Sequence, residues 1–232
     1  MLKEGRKLTR QKLAQTPDSD LWREKINAYL EHSYFDDEMN DSDRIQITND
    51  CVNAFAEITE LCFKYGKFKD QWEYNTFHLF FDGLELMIIS QKTKCDYRIG
   101  LERDGIFLST YLGHCKNIRY MDDNFWKLLL KLSDFDGFHY DEYEFVRDER
   151  IKAFPELFNT NKSMIYRILR KYIFDETETD YRYVSENVGE IKLLYPFNYD
   201  FNKLVENFCQ GFKIMYQLNY LLWKVSDLKS KK

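Results

Sequence analysis

The chain is poor in the residues that punctuate a fold and cradle phosphates, with three prolines and nine glycines among 232 residues. So few glycines leave little room for a loop that wraps phosphate on backbone amides, and neither a Gly-x-Gly-x-x-Gly nor a Walker A pattern occurs. Gly-x-Ser-x-Gly and His-Glu-x-x-His are absent too, which removes the common esterase and zinc-protease signatures. The four histidines, His32, His78, His114 and His139, stand far apart. His114 and Cys115 are adjacent, but neighbours on a strand point to opposite faces, so they make no nucleophile pair. No ligand spacing for a metal accompanies them, and none is expected to be bound. Cys51, Cys62, Cys95, Cys115 and Cys209 are odd in number and contain no C-x-x-C. With a Lys/Arg-rich N-terminus that has no apolar leader segment, this predicts reduced thiols in the cytoplasm, bacterial or that of a host cell. No run of about 18 apolar residues is available to cross a membrane, so no membrane partner is expected. Neither sign of charge dominates: 34 basic against 39 acidic residues leave a formal charge of -5 and no global preference for nucleic acid.

Aromatics are abundant instead, at 17% of residues with 17 Tyr and 19 Phe. Tyrosine is enriched at protein interfaces, although codon usage in an A/T-rich genome gives the same bias. The clearest pattern runs from about 76 to 113. Thr76–Phe81, Leu84–Ile89, Cys95–Leu101 and Ile106–Leu112 are short β-prone runs, joined by Asp82-Gly83, a polar link and Arg103-Asp104-Gly105. Asp-Gly between such runs signals a tight hairpin, and short connections predict an antiparallel meander. The first two runs are apolar on both faces and are expected in the middle of the sheet. The last two carry one polar face and are expected nearer an edge.

Helices are expected around this meander. Pro17 and Asp18 introduce the first, with Leu21, Trp22, Ile26, Tyr29 and Leu30 as its apolar stripe. The acidic segment 36–43 reads as a solvated loop, lacking the glycine and closing glutamate of a calcium site. A second helix is expected from Arg44 to Tyr65, closed by Gly66, with Val52, Phe55, Ala56, Thr59, Cys62 and Phe63 buried. Asp122 caps a third. A long C-terminal helix from about Asp200 to Val225 is apolar over most of its circumference, so it is buried under the sheet or across a homodimer interface. The whole chain, 1–232, reads as a single α+β domain with a basic tail over 1–15.

Three surfaces invite a functional reading. Asp134, Asp136, Tyr140, Asp141, Glu142, Tyr143 and Glu144 mix acids with aromatics, a composition suited to binding a protein partner. Lys and Arg residues of 3–12 and of 162–171 form basic patches suited to nucleic acid. Asp180 opens one arm of an expected hairpin and Glu190-Ile191-Lys192 opens the other. This resembles the Asp…Glu-x-Lys arrangement of restriction-endonuclease-like nucleases. The resemblance implies two carboxylates holding Mg²⁺ and a lysine positioning water, so that Asp180, Glu190 and Lys192 would be catalytic. No Pro precedes Asp180, and the same residues on a hairpin also make cross-strand ion pairs.

The sequence therefore points first to a non-enzymatic protein-binding module without cofactor. It would be an inhibitor or immunity protein of bacterial or phage conflict that occludes a macromolecular partner. The Mg²⁺-dependent nuclease stands second, and nucleic-acid binding third.

Overall fold

The structure, a computed structural model, describes residues 19–32, 39–80, 83–141, 164–169 and 188–231. It is an α+β fold built on one six-stranded antiparallel sheet. Helix α1 (Ser19–His32) buries Trp22, Ile26 and Tyr29 at helical spacing, while Leu21 turns outward at 47% exposure. Helix α2 (Asp41–Gly66) begins earlier than the apolar pattern indicates. Asn40 caps it, its side-chain oxygen accepting from the Asp43 amide at 3.0 Å. Asp41 and Asp43 fall in the first turn, where the helix dipole favours negative charge. Residues 41–43 of the acidic segment expected as loop are thus helix start. The buried stripe of α2 is rotated from the expected one: Cys51, Ala54, Phe55, Ile58, Thr59 and Cys62 face inward.

The end of α2 corrects another expectation. Lys67, not Gly66, takes the left-handed conformation (φ 51°, ψ 43°) and its amide bonds to the Phe63 carbonyl. Gly66 serves a different need. A Cβ there would lie 2.1 Å from the Phe68 ring, so only glycine lets that ring fold back over the helix end.

The sheet runs β1 (Trp72–Phe80), β2 (Gly83–Ser90), β3 (Asp96–Glu102), β4 (Gly105–Tyr111), β6 (Glu190–Tyr195), β5 (Phe138–Asp141) in spatial order. The meander is present, with Leu86 opposite Ile99 and Ile99 opposite Leu108. Its placement departs from expectation in part: β2 is interior as expected. β1 is an edge, whereas β3 and β4 are interior, because β6 pairs with β4 from far along the chain. β4 is buried on both faces from Gly105 to Thr110.

Helix α3 (Asp123–Ser133) is capped by Asp122, which accepts from the Asn124 amide at 3.0 Å. The final helix, α4 (Phe201–Ser230), lies against one face of the sheet. At Gly211 a Cβ would sit 2.3 Å from Leu193 Cδ1, so glycine sets how closely α4 approaches β6. Helices α1, α2 and α3 pack on the rest of it, so the monomer itself covers this apolar helix. Much of the aromatic content is core. Phe63 stacks on Trp72 at 4.2 Å between centroids, and Tyr97 meets Phe212 at 4.8 Å.

Candidate functional site

Glu190 and Lys192 alternate along β6 and so share one face of the sheet. Lys192 Nζ lies 2.8 Å from Glu102 on β3 and 3.9 Å from Glu190, and it sits 5.2 Å above the Phe107 ring on β4. Glu190 is 6% exposed, and burial pushes its carboxyl above the usual range against the opposing pull of Ser109, Lys192 and Arg98. Beside this set, Arg98 pairs with Asp96 at 3.1 Å and lies over the Tyr111 ring. The arrangement is a ladder of ion pairs in which the lysine bridges two carboxylates across three strands. Asp180 lies outside the described residues. Among the described residues no group of three or more His, Cys, Asp or Glu side chains could hold a metal ion.

The acidic-aromatic segment divides by strand alternation. Asp134 and Asp136 are exposed in the turn before β5, and along β5 Phe138 and Tyr140 point inward while His139 and Asp141 point out. Tyr140 is thereby removed from the binding surface expected of it. It is 8% exposed, and its hydroxyl donates a hydrogen bond to the Val188 carbonyl. Arg167, from the basic patch, lies 4.9 Å over the Tyr140 ring. Asp141 stands opposite Glu190 in the ladder. Glu142, Tyr143 and Glu144 lie outside the described residues, as do residues 3–12 and the ends of the 162–171 patch.

A different place gathers unspent charge. Where β4 leaves the sheet, His114 adopts a left-handed conformation (φ 54°, ψ 33°) and the chain winds into a 3₁₀ turn, Cys115–Tyr120. This turn, the link before β3 and the last turns of α4 enclose a cavity of about 650 Å³. Lys94, Lys116, Arg119 and Lys229 line it, together with His114 and Asn117. Among the described residues none of these four cations makes an ion pair with a carboxylate, and the one acid in the lining, Asp96, is already paired with Arg98. Lys94 instead donates to Gln91 Oε1 at 2.9 Å. Lys229 donates to Asn117 Oδ1 at 3.4 Å and lies 4.0 Å from the Tyr120 ring centroid.

The walls are well fixed. Asn117 is 5% exposed and its amide donates to the Leu222 carbonyl at 2.9 Å and to Ser226 Oγ at 2.7 Å, tying the 3₁₀ turn to α4. His114 Nε2 lies 2.8 Å from the Thr93 carbonyl, tying it to the link before β3. Cys95 lines the cavity as a thiol whose pKa burial pushes up to about 11, so at neutral pH it is protonated and a poor nucleophile.

No family model, curated protein or solved structure matches the chain.

Reading the sequence missed this site because its cations come from three separate segments. One signal was available. From Gly105 to Met121 the chain carries no Asp or Glu, in a protein with 39 acids, and Lys116 and Arg119 fall at that stretch's end.

Proposed function

We propose that the protein is a non-enzymatic binding module whose recognition site is the basic cavity and whose ligand presents an anionic group. The observation that carries this reading is the convergence of Lys94, Lys116, Arg119 and Lys229 on one concavity, with no carboxylate partner among the described residues. Two cations on the sheet behave differently: Lys192 is paired with Glu102, and Arg98 with Asp96. Gathering like charges costs free energy that an anion offsets on binding, and a cavity of this size suits a small ligand or a protruding group. The protein acts by holding its ligand, not by turning it over. The occlusion role expected from the sequence, including an inhibitor or immunity function in bacterial or phage conflict, belongs to this proposal.

Calorimetric titration with inorganic phosphate and pyrophosphate tests it. Binding is expected to weaken as salt rises and to be lost in Lys116→Glu/Arg119→Glu. Undiminished affinity in that variant, or no anion bound by the parent, refutes the site.

A second reading, a Mg²⁺-dependent nuclease using Asp180, Glu190 and Lys192, draws on Glu190 and Lys192 lying 3.9 Å apart on one face. It requires cleavage of DNA or RNA that depends on Mg²⁺ or Mn²⁺ and disappears in Glu190→Ala.

A further inference from the structure

Next to Arg119 and Lys229 of the basic cavity stands a feature that phosphate binding alone does not use. Tyr120, the last residue of the 3₁₀ turn, is 52% exposed, and among the described residues its ring meets no other aromatic ring. Many rings in the core pack on one another, as Phe63 does on Trp72 and Tyr195 on Tyr199. The two side chains that attend Tyr120 are both cavity cations. Lys229 Nζ lies 4.0 Å and the Arg119 guanidinium 5.3 Å from its ring centroid. A hydrogen bond from Lys229 and the charge of Arg119 pull the phenol below the usual tyrosine range. These cations thus lean on the nearest electron-rich group in the absence of a carboxylate.

An exposed, flat, electron-rich ring beside a cluster of cations that meet no carboxylate among the described residues matches a ligand with two unlike ends. One end carries several negative charges close together, suited to lysine ammonium groups and to the planar donors of an arginine. The other is a planar heterocycle able to stack on tyrosine. Building on the anion-binding reading above, we infer that the occupant of the cavity is a nucleotide. Its phosphates would lie among Lys94, Lys116, Arg119 and Lys229, and its base would stack on Tyr120.

A cavity of about 650 Å³ falls within the size range of small-molecule sites. Asn117, with its amide fixed by Leu222 and Ser226, holds Lys229 in place through its carbonyl oxygen and is a positioning residue for that cation. The site is closed on one side by α4, which favours a mononucleotide over a strand passing through.

The experiment measures the affinity of the full chain for inorganic tripolyphosphate, for purine nucleoside triphosphates and for a short single-stranded oligonucleotide, without added metal. Parent protein is compared with Tyr120→Ala, Tyr120→Phe and Lys116→Glu/Arg119→Glu, and circular dichroism confirms that each variant is folded. The nucleotide is expected to bind about tenfold more tightly than tripolyphosphate, with that advantage lost in Tyr120→Ala and kept in Tyr120→Phe. The charge-reversed variant should lose both ligands.

Equal affinity for nucleotide and tripolyphosphate, or a Tyr120→Ala variant that behaves as the parent, overturns the nucleotide inference and leaves the anion site standing. Failure of the parent to bind any of the three probes overturns both. An oligonucleotide that binds far more tightly than the nucleotide overturns the small-ligand reading in favour of a nucleic-acid surface.

Discussion

Asn219 on α4 is the polar link between the long helix and the end of the sheet, and replacing it by alanine is the most searching test of the packing. The residue is fully buried, at 0% exposure. Its Oδ1 accepts from the Gly113 amide at 3.0 Å, and its Nδ2 donates to Thr110 Oγ1 at 3.0 Å and to the Tyr111 carbonyl at 3.1 Å. A contact to the Tyr97 hydroxyl at 3.5 Å is too long to weigh equally. At about 1 kcal/mol net per bond, the three good bonds together contribute about 3 kcal/mol. With a urea m-value of about 2–3 kcal/mol/M, Asn219→Ala should lower the unfolding midpoint by roughly 1–1.5 M. Asn219→Asp keeps the acceptor for Gly113 but loses both donors and buries a charge, so it should fare no better at neutral pH. Urea melts followed by far-ultraviolet circular dichroism give the numbers. A loss below about 1 kcal/mol in the alanine variant would refute the reasoning, showing that Gly113 and Tyr111 find equivalent partners without the amide.

Three further outcomes follow from the same structure. Because the Glu190 carboxyl is raised in the fold, the unfolded chain releases its proton first as pH climbs, so this group's contribution falls from about pH 4.3, the unfolded value, up to its folded value, and then stays level. Glu190→Gln should flatten that decline and be at least as stable as the parent at pH 7; a steeper decline in thermal melts across pH 4–7 would contradict the assignment. Lys67→Gly should stabilise the protein by about 0.5–1 kcal/mol, since a left-handed cap at φ 51° strains any residue with a Cβ, and a lower melting temperature would show that the lysine side chain matters more than the backbone. All five cysteines are buried, so a thiol reagent should label the native protein slowly and denatured protein at five sites; rapid native labelling at any of them would contradict the packing around it.

Local signals were legible and long-range ones were not. Asp122 before an apolar helical repeat, and Asp104-Gly105 between alternating runs, each specify geometry within a few residues, and both elements form where they were expected. The placement of β1 at an edge was not legible, because it depends on Tyr195 pairing with Ile106 across most of the second half of the chain. Apolarity on both faces of the first runs suggested interior strands, yet the strand buried on both faces is β4, whose Ser109 and Thr110 look half-polar in sequence. There the ladder of Lys192 covers the face that Phe107 and Ser109 share, and the amide of Asn219 meets Thr110 on the opposite face. At the site, Glu190 and Lys192 share a face as their spacing implied, but Glu102, which takes the lysine, is 90 residues away. The basic cavity joins the link before β3, the 3₁₀ turn and the end of α4, so no single window of sequence contains it.

The wall of that cavity is also the end of a helix, and this bears on how the protein opens. Helix termini are where native structures ordinarily breathe, and their amides exchange with solvent fastest. Here Asn117 grips the Leu222 carbonyl and Ser226, and Lys229 reaches back to Asn117, so the last turns of α4 are clamped by the turn they enclose. Fraying and loss of the cavity are therefore one opening event. If the cavity holds an anion as proposed, binding should slow amide exchange over the last turns of α4, and a change that loosens those turns should weaken that binding before the sheet unfolds.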